Sequence, residues 1–194
     1  IKYKKKRNVL YVSNMNEHGF KHLGNGFISK IGTDGKVINM EWVTGLDAPK
    51  GLTIANDKLY ATDINTLVEI DIENGKILNR YPAPAATHLN DAAADENGQI
   101  YVADTLTASI YRLNELGLFT MWLNSTVLEA PNGLHIEGNN MIVGSWGFPT
   151  KGFETPVPGH LKVVSLLDKS VKSLGNGKPV GNLDGVEADG NGNY

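Results

Sequence analysis

The stretch HLNDAAADENGQIYVADT (residues 88–105) decides how this chain is read. A short apolar strand runs into an Asn-Gly turn, and a second strand of alternating apolar and polar residues follows. Asn-Gly between two period-2 runs is a hairpin signal, because both residues tolerate the positive φ that tight hairpin turns require. The same order of parts returns in APKGLTIANDKLYATD (48–63), APNGLHIEGNNMIVGSW (130–146) and NLDGVEADGNGNY (182–194). On this frame Gly51, Ala92 and Gly133 align at a spacing of 41 residues, and Gly185 follows after 52. NVLYVSN (8–14) matches KLYATDI and QIYVADT and opens the series.

Each unit continues with a third strand (TLVEIDI, ASIYRLN, HLKVVSLL), a turn such as DGK (34–36), NGK (74–76) or DKS (168–170), and a fourth strand. No segment sustains a 3.6-residue apolar period, so no substantial helix is expected. Four antiparallel strands repeating every 40–45 residues are the mark of a β-propeller blade. The expectation is an all-β, single-domain propeller over 1–194 with about four blades, the first and last incomplete. Six blades need roughly 250–300 residues, so the chain reads as truncated at both ends.

Bulk composition agrees and narrows the function classes. Glycine reaches 22 of 194 residues, where average usage predicts about 14, as a turn-rich chain requires. Cysteine is absent, which removes disulfides and thiolate metal sites. A net charge of −3 with both signs mixed gives no electrostatic case for nucleic acid. No apolar run approaches the roughly 20 residues of a membrane span. A soluble protein acting on a small molecule is expected, cytoplasmic or periplasmic/secreted, of undetermined oligomeric state. The basic run KKKR (4–7) reads as a solvated turn between strands, and YPAPAA (81–86) as an inter-blade connection.

In a propeller the first strand of each blade lines the central channel, so residues at its entry converge although they lie far apart in sequence. The position before the aligned Gly or Ala holds Lys50, Asp91, Asn132 and Asp184, with Asn90 one residue earlier in the second unit. Any one of these is more often a turn-former than a ligand. Polar residues at one axial position in three consecutive units favour a site, and Asn/Asp oxygens without His or Cys suit a hard cation.

The run HLND, APNGL, LDGVEAD resembles the regucalcin/gluconolactonase family of six-bladed propellers. The resemblance implies metal ligation by Asn132 and Asp184, with a substrate- or water-contacting role for Asn90. It also implies a Glu ligand from the first blade, expected immediately upstream of Ile1. Asp184 would be both ligand and catalytic proton acceptor in metal-dependent hydrolysis of a lactone or related cyclic ester. The implied cofactor is a divalent cation, Ca2+ first, with Mg2+, Mn2+ and Zn2+ as alternatives. Lys50 and Asp91 are read as substrate-binding, Lys50 toward an anionic group, with a solvated rim lysine as its alternative. Ala92 departs from the family's usual Gly.

Two other readings stand beside this one. A propeller lyase would use a channel His as base on a cyclic lactone. A non-enzymatic propeller would only bind a ligand or a protein. Of the five histidines (His18, His22, His88, His135 and His160), His88 and His135 flank the axial motifs, yet a lone strand His is more often structural. GSWGFPTKGFETPVPGH (144–160) is a long inter-strand loop of the kind that caps a channel, or a structural excursion at a blade edge.

Overall fold

The computed structural model describes residues 1–15, 20–150 and 154–194. It contains sixteen strands: β1 (Lys2–Lys4), β2 (Val9–Asn14), β3 (Gly26–Gly32), β4 (Val37–Leu46), β5 (Pro49–Ala55), β6 (Lys58–Asp63), β7 (Thr66–Asp71), β8 (Ile77–Pro82), β9 (Leu89–Ala94), β10 (Ile100–Asp104), β11 (Ser109–Leu113), β12 (Phe119–Asn124), β13 (Pro131–Glu137), β14 (Asn140–Ser145), β15 (Leu161–Ser165) and β16 (Val171–Ser173). They form four four-stranded antiparallel sheets in sequence order, β1–β4, β5–β8, β9–β12 and β13–β16. The helical segments among the described residues are two single 3-10 turns, Lys5–Arg7 and Thr126–Leu128. This is the all-β, about four-bladed propeller pattern expected from the repeat.

The blade boundaries differ from the expected ones. The first sheet is complete, with Lys2–Lys4 as its inner strand, whereas 182–194 contains no strand. A strand needs a ladder partner; residues 183–186 instead pack against β13 and β14 at Gly133 and Gly144. The axial frame also shifts by one residue in the third sheet. Lys50, Asn90 and Asn132 are each the second residue of their strands, and Asp91 takes the place of Gly51 and Gly133. A longer turn absorbs the difference. Asp95 N donates to Gln99 O across residues 96–98, whereas Asn56 and Asp57 alone turn β5 into β6, both at positive φ, as a type I′ turn demands.

The chain divides into two compact units, Ile1–Ala92 and Ala93–Tyr194. In the first, Tyr11, Ile28, Leu46, Leu59, Val68 and Ile70 form the core, with Trp42 packed against it. The Tyr11 and Trp42 rings lie 4.8 Å apart. In the second, Tyr101, Ile110, Leu128, Met141, Val143 and Val164 are buried together, and Trp122 meets Tyr101 edge-on at 5.2 Å. Each such side chain contributes about 1.5–3 kcal/mol of transfer free energy.

Within each unit the second strand of one sheet packs on the first strand of the next, β2 on β5 and β10 on β13. Small residues make that approach close. Ser13 Oγ donates to Lys50 O at 2.6 Å, and Thr62 Oγ1 donates to Asn90 O at 2.6 Å while accepting from Gly51 N at 2.9 Å. The Asp that ends KLYATD is structural: the Asp63 carboxylate, 2% exposed, accepts Asp47 N and Ala48 N and so fixes the entry to β5. In the basic segment Lys4 pairs with Asp57 at 2.8 Å and Arg7 with Glu73, consistent with a solvated turn.

Candidate functional site

Asn132-Gly133 is not a turn. Both residues lie inside β13, neither has a positive φ, and the ladder to β14 slips between Pro131 and Leu134. The equivalent slip in β5 lies between Pro49 and Leu52, around Lys50-Gly51. A bulge at this point takes the second strand residue out of ladder register, a device common beside binding sites because it re-aims a side chain.

Gly133 is required by proximity rather than by φ. A β-carbon there would stand 2.8 Å from Asp184 O and 2.7 Å from Val186 N. The backbone of 184–186 therefore runs directly against the Asn132 segment, and the structure brings the two expected ligands of the second unit onto touching chain segments. Gly51 does the same in the first unit, where a β-carbon would collide with the backbone of Asn90 and Asp91. Lys50 and Asn90–Asp91 are thus adjacent within that unit.

The side chains differ sharply in environment. Asn132 is 3% exposed, and its Oδ1 has no hydrogen-bond partner among the described residues. An amide oxygen left so costs about 1–3 kcal/mol, a cost that a ligand would relieve. Asp184 is exposed. Lys50 is half-buried, donates to Ala48 O at 3.3 Å, and has its ammonium pushed down to about 8 by burial, with Asp63 opposing the shift. Among the described residues no three His, Cys, Asp or Glu side chains gather as a metal cluster. The side chains of Asn132 and Asp184 offer oxygen donors, the type a hard cation takes.

The histidines divide by partner. His88 is buried against the Phe20 ring at 4.7 Å, His22 Nδ1 is 2.7 Å from Asp47 Oδ2, and His135 Nδ1 is 3.6 Å from Glu187 Oε2. His18 and residues 151–153 of the long loop lie outside the described residues. The remainder of that loop is closed by a Gly147–Pro158 bridge and by Asn182 Nδ2, which donates to Trp146 O and Thr155 Oγ1.

One group was missed in sequence. His160 Nδ1 lies 2.6 Å from Glu129 Oε2, and Lys162 Nζ donates to Glu129 Oε1 at 2.7 Å. Those hydrogen bonds hold the Glu129 carboxyl below its ordinary value against the opposing effect of burial. The signal available was slight: a Glu three residues before the Asn-Gly, and a His just before a strand some thirty residues later.

No family model and no curated protein matches this chain. Solved structures do. Virginiamycin B lyase from Staphylococcus aureus aligns at TM-score 0.53 and 13% identity over 88% of this chain and 47% of its own. Luciferin-regenerating enzyme aligns at TM-score 0.61 and 18% identity over 93% of this chain and 62% of its own. A structural-genomics protein from Bacteroides thetaiotaomicron aligns at TM-score 0.65 and 12% identity over 91% and 47%. The chain spans about half the length of the lyase and the Bacteroides protein. Two of the three are enzymes by name, and at these identities the likeness concerns the fold alone: this chain is similar to β-propellers.

Proposed function

We propose that this chain carries the cation site of a propeller enzyme that hydrolyses a lactone or a related cyclic ester. The observation that carries the reading is the buried Asn132 Oδ1, without a hydrogen-bond partner among the described residues, on a residue whose neighbour Gly133 packs against the 184–186 backbone. Asn132 and Asp184 are the proposed protein ligands, and all-oxygen donors favour Ca2+. A cation bound there supplies Lewis-acid stabilisation of the charge that develops on a carbonyl oxygen under attack by water. In the first unit, taken by itself, Lys50, Asn90 and Asp91 are a second set of polar residues proposed to contact a small ligand. Burial lowers the Lys50 ammonium value to about 8, and an anionic group beside it would oppose that shift.

The test is calorimetric titration of the full chain with CaCl2 and MnCl2, beside its Asn132→Ala variant, followed by a panel of five- and six-membered lactones. Binding that is lost in the variant, with release of the hydroxy acid, supports the reading. Absence of binding in both proteins overturns it in favour of a binding scaffold. An elimination product in place of the hydroxy acid assigns the chain to lyase chemistry.

A further inference from the structure

The second unit holds a cavity of about 280 Å³, lined by Asp95 and Gln99 of the β9–β10 turn, Tyr101 of β10, Arg112 of β11, Asn139 and Leu166. That volume lies at the small end of the range for ligand sites. Asn132 is the second residue of β13, whereas the cavity adjoins the turn at 138–139 that follows it. At about 3.3 Å per strand residue, the two lie roughly 20 Å apart along the strand. The cavity walls are braced. Asp95 Oδ1 accepts Asn97 N at 3.0 Å and Gln99 N at 2.9 Å, and its Oδ2 accepts Gln99 Nε2 at 3.2 Å. Asn139 O accepts Leu166 N at 2.9 Å, which joins the two turns of the last sheet.

Arg112 is the cation of this cavity, and it stands opposite Tyr101 in the β10–β11 ladder. Tyr101 is buried and fixed by its edge-on contact with Trp122, whose ring is capped by Lys169 Nζ at 5.3 Å. Burial raises the Tyr101 phenol above its ordinary value, and a hydrogen bond with Arg112 opposes that shift. No carboxylate pairs with Arg112 among the described residues. The equivalent place in the second sheet is filled differently: Glu69 faces Tyr60 there, and Lys58, Asn79 and Tyr81 all engage its carboxylate. A guanidinium carries five N–H donors in a fixed fork. One phenol oxygen leaves most of them without a protein acceptor.

We propose that this cavity is a second ligand site, for a small monocarboxylate that carries a hydroxyl or an amine on a short aliphatic stem. Arg112 takes the carboxylate, whose two oxygens match the spacing of its fork. Leu166 lines the path of the stem. Asp95 accepts the hydroxyl or amine: a carboxylate offers about four lone-pair sites, and the donors from Asn97 and Gln99 occupy three. Charge balance sets the class. Asp95 and Glu96 face one arginine, so a single negative charge is admitted, while a dicarboxylate or a phosphate meets repulsion. The site involves neither Asn132 nor Asp184 and stands independently of the cation reading.

The test is 1H–15N NMR of the full chain, freed of metal on a chelating resin and titrated with 4-hydroxybutyrate, 4-aminobutyrate, succinate and inorganic phosphate. At least one of the two monocarboxylates should move the Arg112 Nε–H resonance and the Gln99 and Asn139 amides along a saturable curve. Succinate and phosphate should bind about tenfold more weakly or not at all. Arg112→Met is expected to weaken the bound monocarboxylate by about tenfold or more, the scale of a lost hydrogen bond to a charged group. Arg112→Lys should lose nearly as much, because it keeps the charge without the fork. A wild-type Arg112 resonance that none of the four moves overturns the proposal, whether or not either variant folds. Undiminished binding in a folded Arg112→Met overturns it as well, and so does phosphate bound as tightly as the monocarboxylates. A chain that binds 4-hydroxybutyrate at Arg112 but no Ca2+ keeps this site and loses the cation reading.

Discussion

The carbonyl oxygen of Asp184 would lie 2.8 Å from a β-carbon placed on Gly133. Asn132 and Asp184, 52 positions apart in sequence, are brought to one place by a glycine that exists for clearance. Gly133→Ala should push the 184–186 backbone away, because all three nearest atoms belong to that backbone and none is a yielding side-chain tip. Overpacking of this kind costs about 1–3 kcal/mol. Gly185→Ala is the matched control, since its β-carbon meets nothing within 4 Å. Urea unfolding should show a lowered midpoint for Gly133→Ala and little change for Gly185→Ala; equal midpoints would contradict the close approach.

The acid side of stability should report Glu129. Its carboxyl is held below its ordinary value of 4.5 in the folded chain. A depressed carboxyl contributes stability that is present above its unfolded value and lost as pH falls through the folded one. Wild type should therefore lose stability below about pH 4.5 more steeply than Glu129→Gln. At pH 7 Glu129→Gln should cost about 2 kcal/mol, the scale of a lost charge-assisted hydrogen bond, because it leaves buried Lys162 without its carboxylate. Adding Lys162→Met should recover most of that loss, since removing both charges of a buried pair is often neutral. A double variant no more stable than Glu129→Gln would argue against the ion pair.

Lys50 gives the same sign of slope for a different reason, since burial disfavours its charged form. Its ammonium value lies near 8 in the folded chain against 10.5 ordinarily. The unfolded chain binds the extra proton between those values, so this group makes stability rise with pH across that window. The difference between wild type and Lys50→Met isolates it from the tyrosines, whose phenols are pushed up by burial, Tyr60 to about 12. Urea midpoints taken every half unit from pH 7.5 to 10.5 should climb for wild type relative to Lys50→Met. A constant difference would place Lys50 in water.

How far the sequence could be read follows from the range of the forces involved. Turns such as Asp34-Gly35 and Asp95–Gly98 are local, with the carboxylate accepting an amide two residues on (Asp34 from Lys36 N, Asp95 from Asn97 N) and Gly at positive φ. Those turns, with period-2 strands between them, made the four-strand repeat legible. The frame error at Asp91 arose because one longer turn preserves a 41-residue spacing while moving the strand start. Asn132 was legible as a candidate through its recurrence. Its standing in a bulge rather than a turn was not, since Asn-Gly carries the same local preference in both. Glu129, His160 and Lys162 could not be found by pattern: their pairing spans some thirty residues.

The Asn132 oxygen allows the cation site to be tested without any substrate. If Oδ1 is kept buried and unpaired for a ligand, the metal-free chain bears its cost continuously. Asn132→Leu removes the orphaned oxygen at similar volume, so the metal-free variant should be at least as stable as wild type, by up to about 1–3 kcal/mol. Ca2+ reverses the ranking. A ligand that binds only the folded state stabilises by about 2.7 kcal/mol at 100 times its dissociation constant. Saturating CaCl2 should therefore raise the wild-type melting temperature and leave Asn132→Leu unmoved. Two outcomes count against the site: a variant destabilised without metal, which would mean that the amide is paired after all, and a wild type that does not respond to Ca2+, Mg2+ or Mn2+. A stabilised variant beside a Ca2+-responsive wild type is the signature of an oxygen held at a cost to the empty fold for the sake of what it binds.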